Sequence, residues 1–82
     1  MLRTQIRLTQ LQNGQSATVT KFSADIAPLC RKLLQHLGIT RQTKITLIRR
    51  APLGDPLQLQ ILGSQFSLRA SEACHIYVEY SN

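Results

Sequence analysis

Two cysteines and two histidines, Cys30, Cys74, His36 and His75, are the residues of this sequence best suited to ligate a metal or act as a nucleophile. Cys74 and His75 are adjacent, so in a strand their side chains leave on opposite faces and do not share one ion. Cys30 falls on the apolar stripe of a helical segment and His36 on its wet side, so that pair diverges as well. A site of mixed imidazole and carboxylate ligands would be carried by a His-x-x-x-His or His-x-x-Glu pair, and the sequence has neither. The wide separation of the cysteines matches no zinc or redox spacing, and both read as small hydrophobes in a reducing compartment. The four acids are far apart in sequence, with Asp25 expected as a helix cap and Asp55 as a loop residue. Ser and His form no recognisable nucleophile motif. No catalytic residue, metal ligand or cofactor is expected from a chain without a convergent polar set.

The most constrained stretch is Arg50-Ala51-Pro52-Leu53-Gly54-Asp55-Pro56. Pro52 and Pro56 fix their own φ and push Ala51 and Asp55 toward extended backbone. Gly54 can supply the positive φ of a tight reversal. Leu53 then sits at the tip of a stiff polar loop with few routes to a core. Leu53, Gly54 and Asp55, with Arg49 and Arg50 leading in, are therefore the candidate partner-binding residues. The competing reading is a rigid turn that simply makes a good hairpin.

The elements that must hold this loop are short. Leu8 to Gly14 suits a packed turn. Ser16 to Phe22 alternates with period two and is expected as the first strand. From Asp25 the period changes. Ile26, Leu29, Cys30, Leu33 and Leu37 fall on one helical stripe, with Leu33 at its centre, while Arg31, Lys32, Gln35 and His36 lie across from it. Asp25 is expected to cap this helix, Pro28 to sit in its first turn and Gly38 to close it; a charged His36 near its C-terminus is favoured by the helix dipole.

Thr43 to Arg50, Leu57 to Leu62, Gln65 to Arg69 and His75 to Tyr80 follow as strands. Gly63-Ser64 is expected as a two-residue hairpin turn, and Ala70 to Ala73 as a single helical turn. Five strands with one helix after the first cannot make a parallel α/β sheet, which needs a crossover between each strand pair. The expected fold is mainly β: a small antiparallel barrel of about five strands with that one amphipathic helix.

At 82 residues the expectation is one domain, residues 1–82, too small for a deep enclosed active site because such a chain buries only about 60% of its unfolded surface. Hydrophobic residues make up 43% and charged residues 17%, a globular composition. The ten Lys and Arg against four Asp and Glu give +6, which favours acidic partners. The cations are scattered and few aromatics accompany them, so nucleic acid is not expected. An anionic membrane surface near the partner is the more natural match. No apolar run approaches a membrane span and no signal segment opens the chain, so a cytoplasmic location is expected.

Four pieces in order resemble the FeoA family, the small cytoplasmic accessory proteins of bacterial ferrous iron uptake. They are Leu8-Thr9-Gln10-Leu11-Gln12-Asn13-Gly14, Arg31-Lys32-Leu33-Leu34-Gln35-His36-Leu37-Gly38-Ile39, Ala51-Pro52-Leu53-Gly54-Asp55-Pro56, and Leu68-Arg69-Ala70-Ser71-Glu72-Ala73 leading into Ile76-Tyr77-Val78. Where the family usually carries Pro-Gly after Leu-Gly-Ile, this chain has Arg41-Gln42. The resemblance implies an SH3-like barrel and a non-enzymatic accessory docking on the cytoplasmic part of the FeoB-type GTPase permease. It brings transition-metal binding at the level of the family, without a ligand set here. An alternative is a free-standing regulatory module, since similar SH3-like domains form the C-terminal part of iron-dependent repressors. The grooves by which SH3 domains take proline-rich peptides are aromatic-lined, and that supply is poor here.

Overall fold

A computed structural model of the chain describes residues 3–81. Six strands form one antiparallel sheet: β1 (Arg3–Arg7), β2 (Ser16–Phe22), β3 (Lys44–Arg50), β4 (Leu57–Ile61), β5 (Ser64–Leu68) and β6 (Ile76–Ser81). Their order across the sheet is β1-β6-β2-β3-β4-β5. The mainly β class with an early helix is as expected, with one strand more than the five anticipated. Among the described residues no ladder joins β1 to β5, so the sheet curls without closing. The unanticipated strand is β1, whose Arg-Thr-Gln-Ile-Arg sequence offers one aliphatic residue. It is an edge strand paired only with β6, from Arg3 opposite Ser81 to Arg7 opposite Tyr77, so its partner's backbone fixes it more than its own apolar pattern does.

The strands read as alternating do alternate in the fold. Leu57, Leu59 and Ile61 of β4 are buried while Gln58 and Gln60 face away. Val19, Ile45, Leu47, Ile76 and Val78 join them in one core, and no polar or charged residue is buried among the described residues. A 3₁₀ turn, Leu8–Gln10, follows β1 and sends Leu8 and Leu11 into that core. The β4–β5 hairpin turns on Leu62-Gly63, one residue earlier than Gly63-Ser64, with Ile61 paired to Ser64. Both turn residues have positive φ, +47° and +84°, the backbone of the tight turn whose twist matches two antiparallel strands.

Helix α1 (Pro28–His36) lies between β2 and β3. Asp25 does not cap it: the N-cap is Ala27 with no side-chain hydrogen bond, and Pro28 occupies the first turn. Its end is as anticipated, since Gly38 (φ +86°) donates to Gln35 O at 3.0 Å and Ile39 donates to Leu34 O at 2.9 Å. These two bonds satisfy the last carbonyls and turn the chain back toward the sheet. The rotation of the helix differs from the expected stripe. Leu34 is fully buried, Leu33 is 41% exposed and Leu29 stands out in solvent. Cys30 and Leu37 pack beside Leu34 at i−4 and i+3, so the inward stripe runs one residue later than the series through Leu29 and Leu33. The Arg41-Gln42 turn keeps a left-handed residue without glycine: Gln42 has φ +75° and donates to Val19 O at 2.7 Å. The second helix, α2 (Ala70–Ala73), is the single turn expected.

Candidate functional site

The loop between β3 and β4 is held from three sides. Gly54 N–H donates to Ala51 O at 2.7 Å and Ala51 N–H to Pro56 O at 3.0 Å, closing the reversal within itself. Gly54 has φ +88°, the conformation its glycine was expected to supply. Asp55 Oδ1 accepts the Ala70 N–H at 2.8 Å, which fastens the loop to the start of α2. The tip is left to solvent, with Leu53 97% exposed. Beside it an open depression of about 490 Å³ is lined by Ala51, Pro52 and Pro56 together with Arg49, Arg50 and Gln58.

The five candidate residues therefore separate by role. Leu53 and Gly54 are presented at the tip, and Arg49 is on the adjoining surface with its Nε donating to Gln58 Oε1 at 3.0 Å. Asp55 is engaged in anchoring. Arg50 turns inward: its Nη2 donates to the carbonyls of Thr9 and of Leu11, the latter at 2.7 Å, and so clamps the 3₁₀ turn onto β3. Arg50 is half-buried and also lines the depression, so the residue beside the loop has a structural role as well. Arg50→Ala should leave carbonyls without a donor and destabilise the fold by about 1–3 kcal/mol, measured as a lower midpoint in urea unfolding.

The metal-ligand types remain dispersed. Cys74 and His75 precede β6 and are not in a strand. Cys74 Sγ donates to Ser71 O at 3.3 Å, whereas His75 Nδ1 stands 3.9 Å from Asp25 Oδ1. That separation is too long for a hydrogen bond, and Nδ1 is shielded from solvent without a partner. His36 lies exposed in the last turn of α1. Burial, with Glu72 and Cys74 nearby, pushes the Cys30 thiol up, so it is a poor nucleophile. Among the described residues no group of three or more His, Cys, Asp or Glu side chains is placed to hold a metal ion.

Asp25, freed from capping, accepts from the Ser23 hydroxyl. That bond, then its own backbone N–H, with weaker contributions from His75 and Arg7, hold its carboxyl below the ordinary 3.8 against an opposing desolvation effect. A carboxylate depressed in the folded state stabilises above its ordinary value, and that contribution is lost as pH falls through the folded value. Asp25→Asn should therefore melt slightly below the parent at neutral pH, with the gap closing in acid when melting temperatures are compared across pH.

The outward face of the sheet holds an arrangement that the sequence reading missed. The Tyr77 ring is flanked by Arg7 and Lys21, each 5.1 Å from its centroid, and Arg7 also donates to Cys74 O at 2.8 Å. The available signal was Tyr77 opposite the core phase of β6, but its neighbours come from β1 and β2.

A curled antiparallel sheet around one core with an early helix makes this a small domain of the SH3-like type. The FeoA domain model matches residues 6–80, and the chain belongs to the FeoA family. It is 31% identical over 74 residues to an Fe(2+) transport protein A/Fe(2+) transporter FeoB fusion protein of Porphyromonas gingivalis; the match takes in 90% of this chain and 8% of that protein. Among solved structures it resembles the FeoA protein of Chlorobium tepidum, with 37% identity, TM-score 0.80, and coverage of 89% of this chain and 68% of that one.

It also resembles the FeoA of Stenotrophomonas maltophilia, described as an SH3 domain protein and complexed with zinc: 26% identity, TM-score 0.78, covering 92% and 95% of the two chains. A manganese-dependent transcriptional repressor shares the fold, with 19% identity, TM-score 0.83, and coverage of 95% of this chain and 42% of the repressor. The FeoA family is one of ferrous iron transport accessory domains and not a known enzyme family. No helix among the described residues is long and apolar enough to cross a membrane.

Proposed function

We propose that this chain is a single-domain, non-enzymatic accessory protein of ferrous iron uptake that works in the cytoplasm by docking on the cytoplasmic part of a FeoB-type GTPase permease. The observation that carries this reading is the fused relative, in which a domain 31% identical to this chain is joined covalently to a FeoB transporter. Covalent joining keeps two domains at high effective concentration, an arrangement that serves partners acting together. The docking contact is the tip of the β3–β4 loop: Leu53 with Gly54, and Arg49 beside the apolar depression at its base. A pre-ordered loop presents an apolar anchor at little entropic cost on binding.

The test is co-purification. Epitope-tagged chain expressed with the FeoB-type permease should retain the permease from detergent-solubilised membranes. Failure to retain it, with the tagged chain folded, would remove the permease as the partner.

A further inference from the structure

The ten Lys and Arg residues are scattered in sequence, but more than half of them gather in space. Register places several on one side of the sheet. Arg7 and Lys21 are both opposite Tyr77, Thr18 is opposite both Glu79 and Lys44, and Arg3 lies four residues from Arg7 on the same face of β1. Where β2 meets α1, this face runs into an open groove of about 750 Å³ lined by Lys21, Arg31 and Arg41 together with Phe22, Ile26 and Pro28, and by no carboxylate.

Six of the chain's ten basic residues thus share one side. The acids near them are Glu79, paired with Arg3 at 3.1 Å, and Asp25 at the rim. Lys21, Arg31 and Arg41 have no carboxylate partner among the described residues. Several of these cations are already ordered: Arg7 and Lys21 by the Tyr77 ring, Arg31 over Phe22 at 5.7 Å, and Arg41 by donating from Nε to Thr20 O at 3.2 Å.

We infer that this face docks on an anionic phospholipid surface. Its chemistry separates that occupant from others. A specific protein interface is organised round buried apolar or aromatic anchors, and none of the exposed leucines of the described residues, Leu29, Leu33, Leu53 and Leu62, lines this groove or stands in the strand pairs of this face. Single-stranded nucleic acid needs open aromatic faces for base stacking, but Tyr77 is half-buried and flanked by two cations. Phe22 and Ile26 of the groove are partly buried against the core and do not stand out as anchors. A broad, shallow field of cations of this kind fits a membrane of anionic headgroups, where each basic residue near the surface adds to attraction within a Debye length of roughly 10 Å. The face is distinct from the Leu53 loop and its occupant is lipid, so this inference stands or falls without the permease.

Vesicle co-sedimentation tests it, using purified chain and no permease. The chain should sediment with phosphatidylcholine vesicles containing about 30% phosphatidylglycerol at about 0.1 M salt, remain free with phosphatidylcholine alone, and be released as salt is raised. Lys21→Gln with Arg41→Gln should lower partitioning roughly tenfold or more. Lys32→Gln with Arg69→Gln, which removes equal charge from residues outside this cluster of six, should lower it much less, and melting curves would establish that both variants fold. No binding to the anionic vesicles, or equal losses in the two double variants, would overturn the assignment. So would retention on an oligonucleotide or on polyglutamate at a salt concentration where vesicles are released, reassigning the face to nucleic acid or acidic protein.

Discussion

Leu34→Ala should destabilise the chain by about 2–5 kcal/mol, whereas Leu33→Ala next to it should cost about 1 kcal/mol or less. Leu34 is fully buried beneath α1, and the surrounding strands are too well tied by ladder bonds to collapse into the space its side chain would leave. Leu33, 41% exposed, already gives much of its surface to water. For a domain of this size each kcal/mol shifts the melting temperature by about 4–8 °C, so Leu34→Ala should melt at least about 10 °C below the parent. Thermal denaturation followed by circular dichroism, with a mainly β spectrum, is the measurement. Equal midpoints for the two variants would contradict the rotation of α1 described above.

Leu53→Ser should have the opposite signature: an almost unchanged melting temperature and a large loss of partner. Its side chain is 97% exposed and contributes nothing to the core, while the loop beneath it is held by Ala51, Gly54 and Asp55 through bonds that the substitution leaves alone. Buried in a pocket of the permease, a leucine contributes about 1.5–3 kcal/mol by area, so its loss should weaken the complex roughly tenfold or more. Capture of the FeoB-type permease by the tagged variant and ferrous iron uptake in cells are the two readouts. Full capture and uptake with the fold intact would reduce the loop to a plain turn; a steep drop in melting temperature would place Leu53 in the core.

Much of the candidate site was legible because its determinants are local. Two prolines restrict the backbone of residues 51–56 wherever they occur, and the glycine between them permits the positive φ of the reversal. The structure leaves Leu53 in solvent at its tip. The structural role of Arg50 was not legible, for a non-local reason. Nothing within its own strand indicates that the carbonyls of Thr9 and Leu11 lie within its reach. Asp25 differs in the same way: its type and position suit a cap, but the chain enters α1 two residues later and leaves the carboxylate beside Ser23 and His75.

The sequence by itself determined the period-two strands such as Leu57–Ile61, the left-handed closure of α1 at Gly38 and the reversal of the β3–β4 loop. Each follows from side-chain type, backbone restriction or spacing along the chain. Tertiary structure decided the remainder. Edge pairing with β6 made a strand of Arg3–Arg7, and the seat of α1 on the sheet chose Leu34 over Leu33. Strand register brought Arg3, Arg7, Lys21 and Lys44 onto one face. These outcomes depend on which backbone lies next to which across dozens of residues, and a helical stripe shifted by one residue keeps nearly the same apolar period, so only packing against the core distinguishes the two rotations.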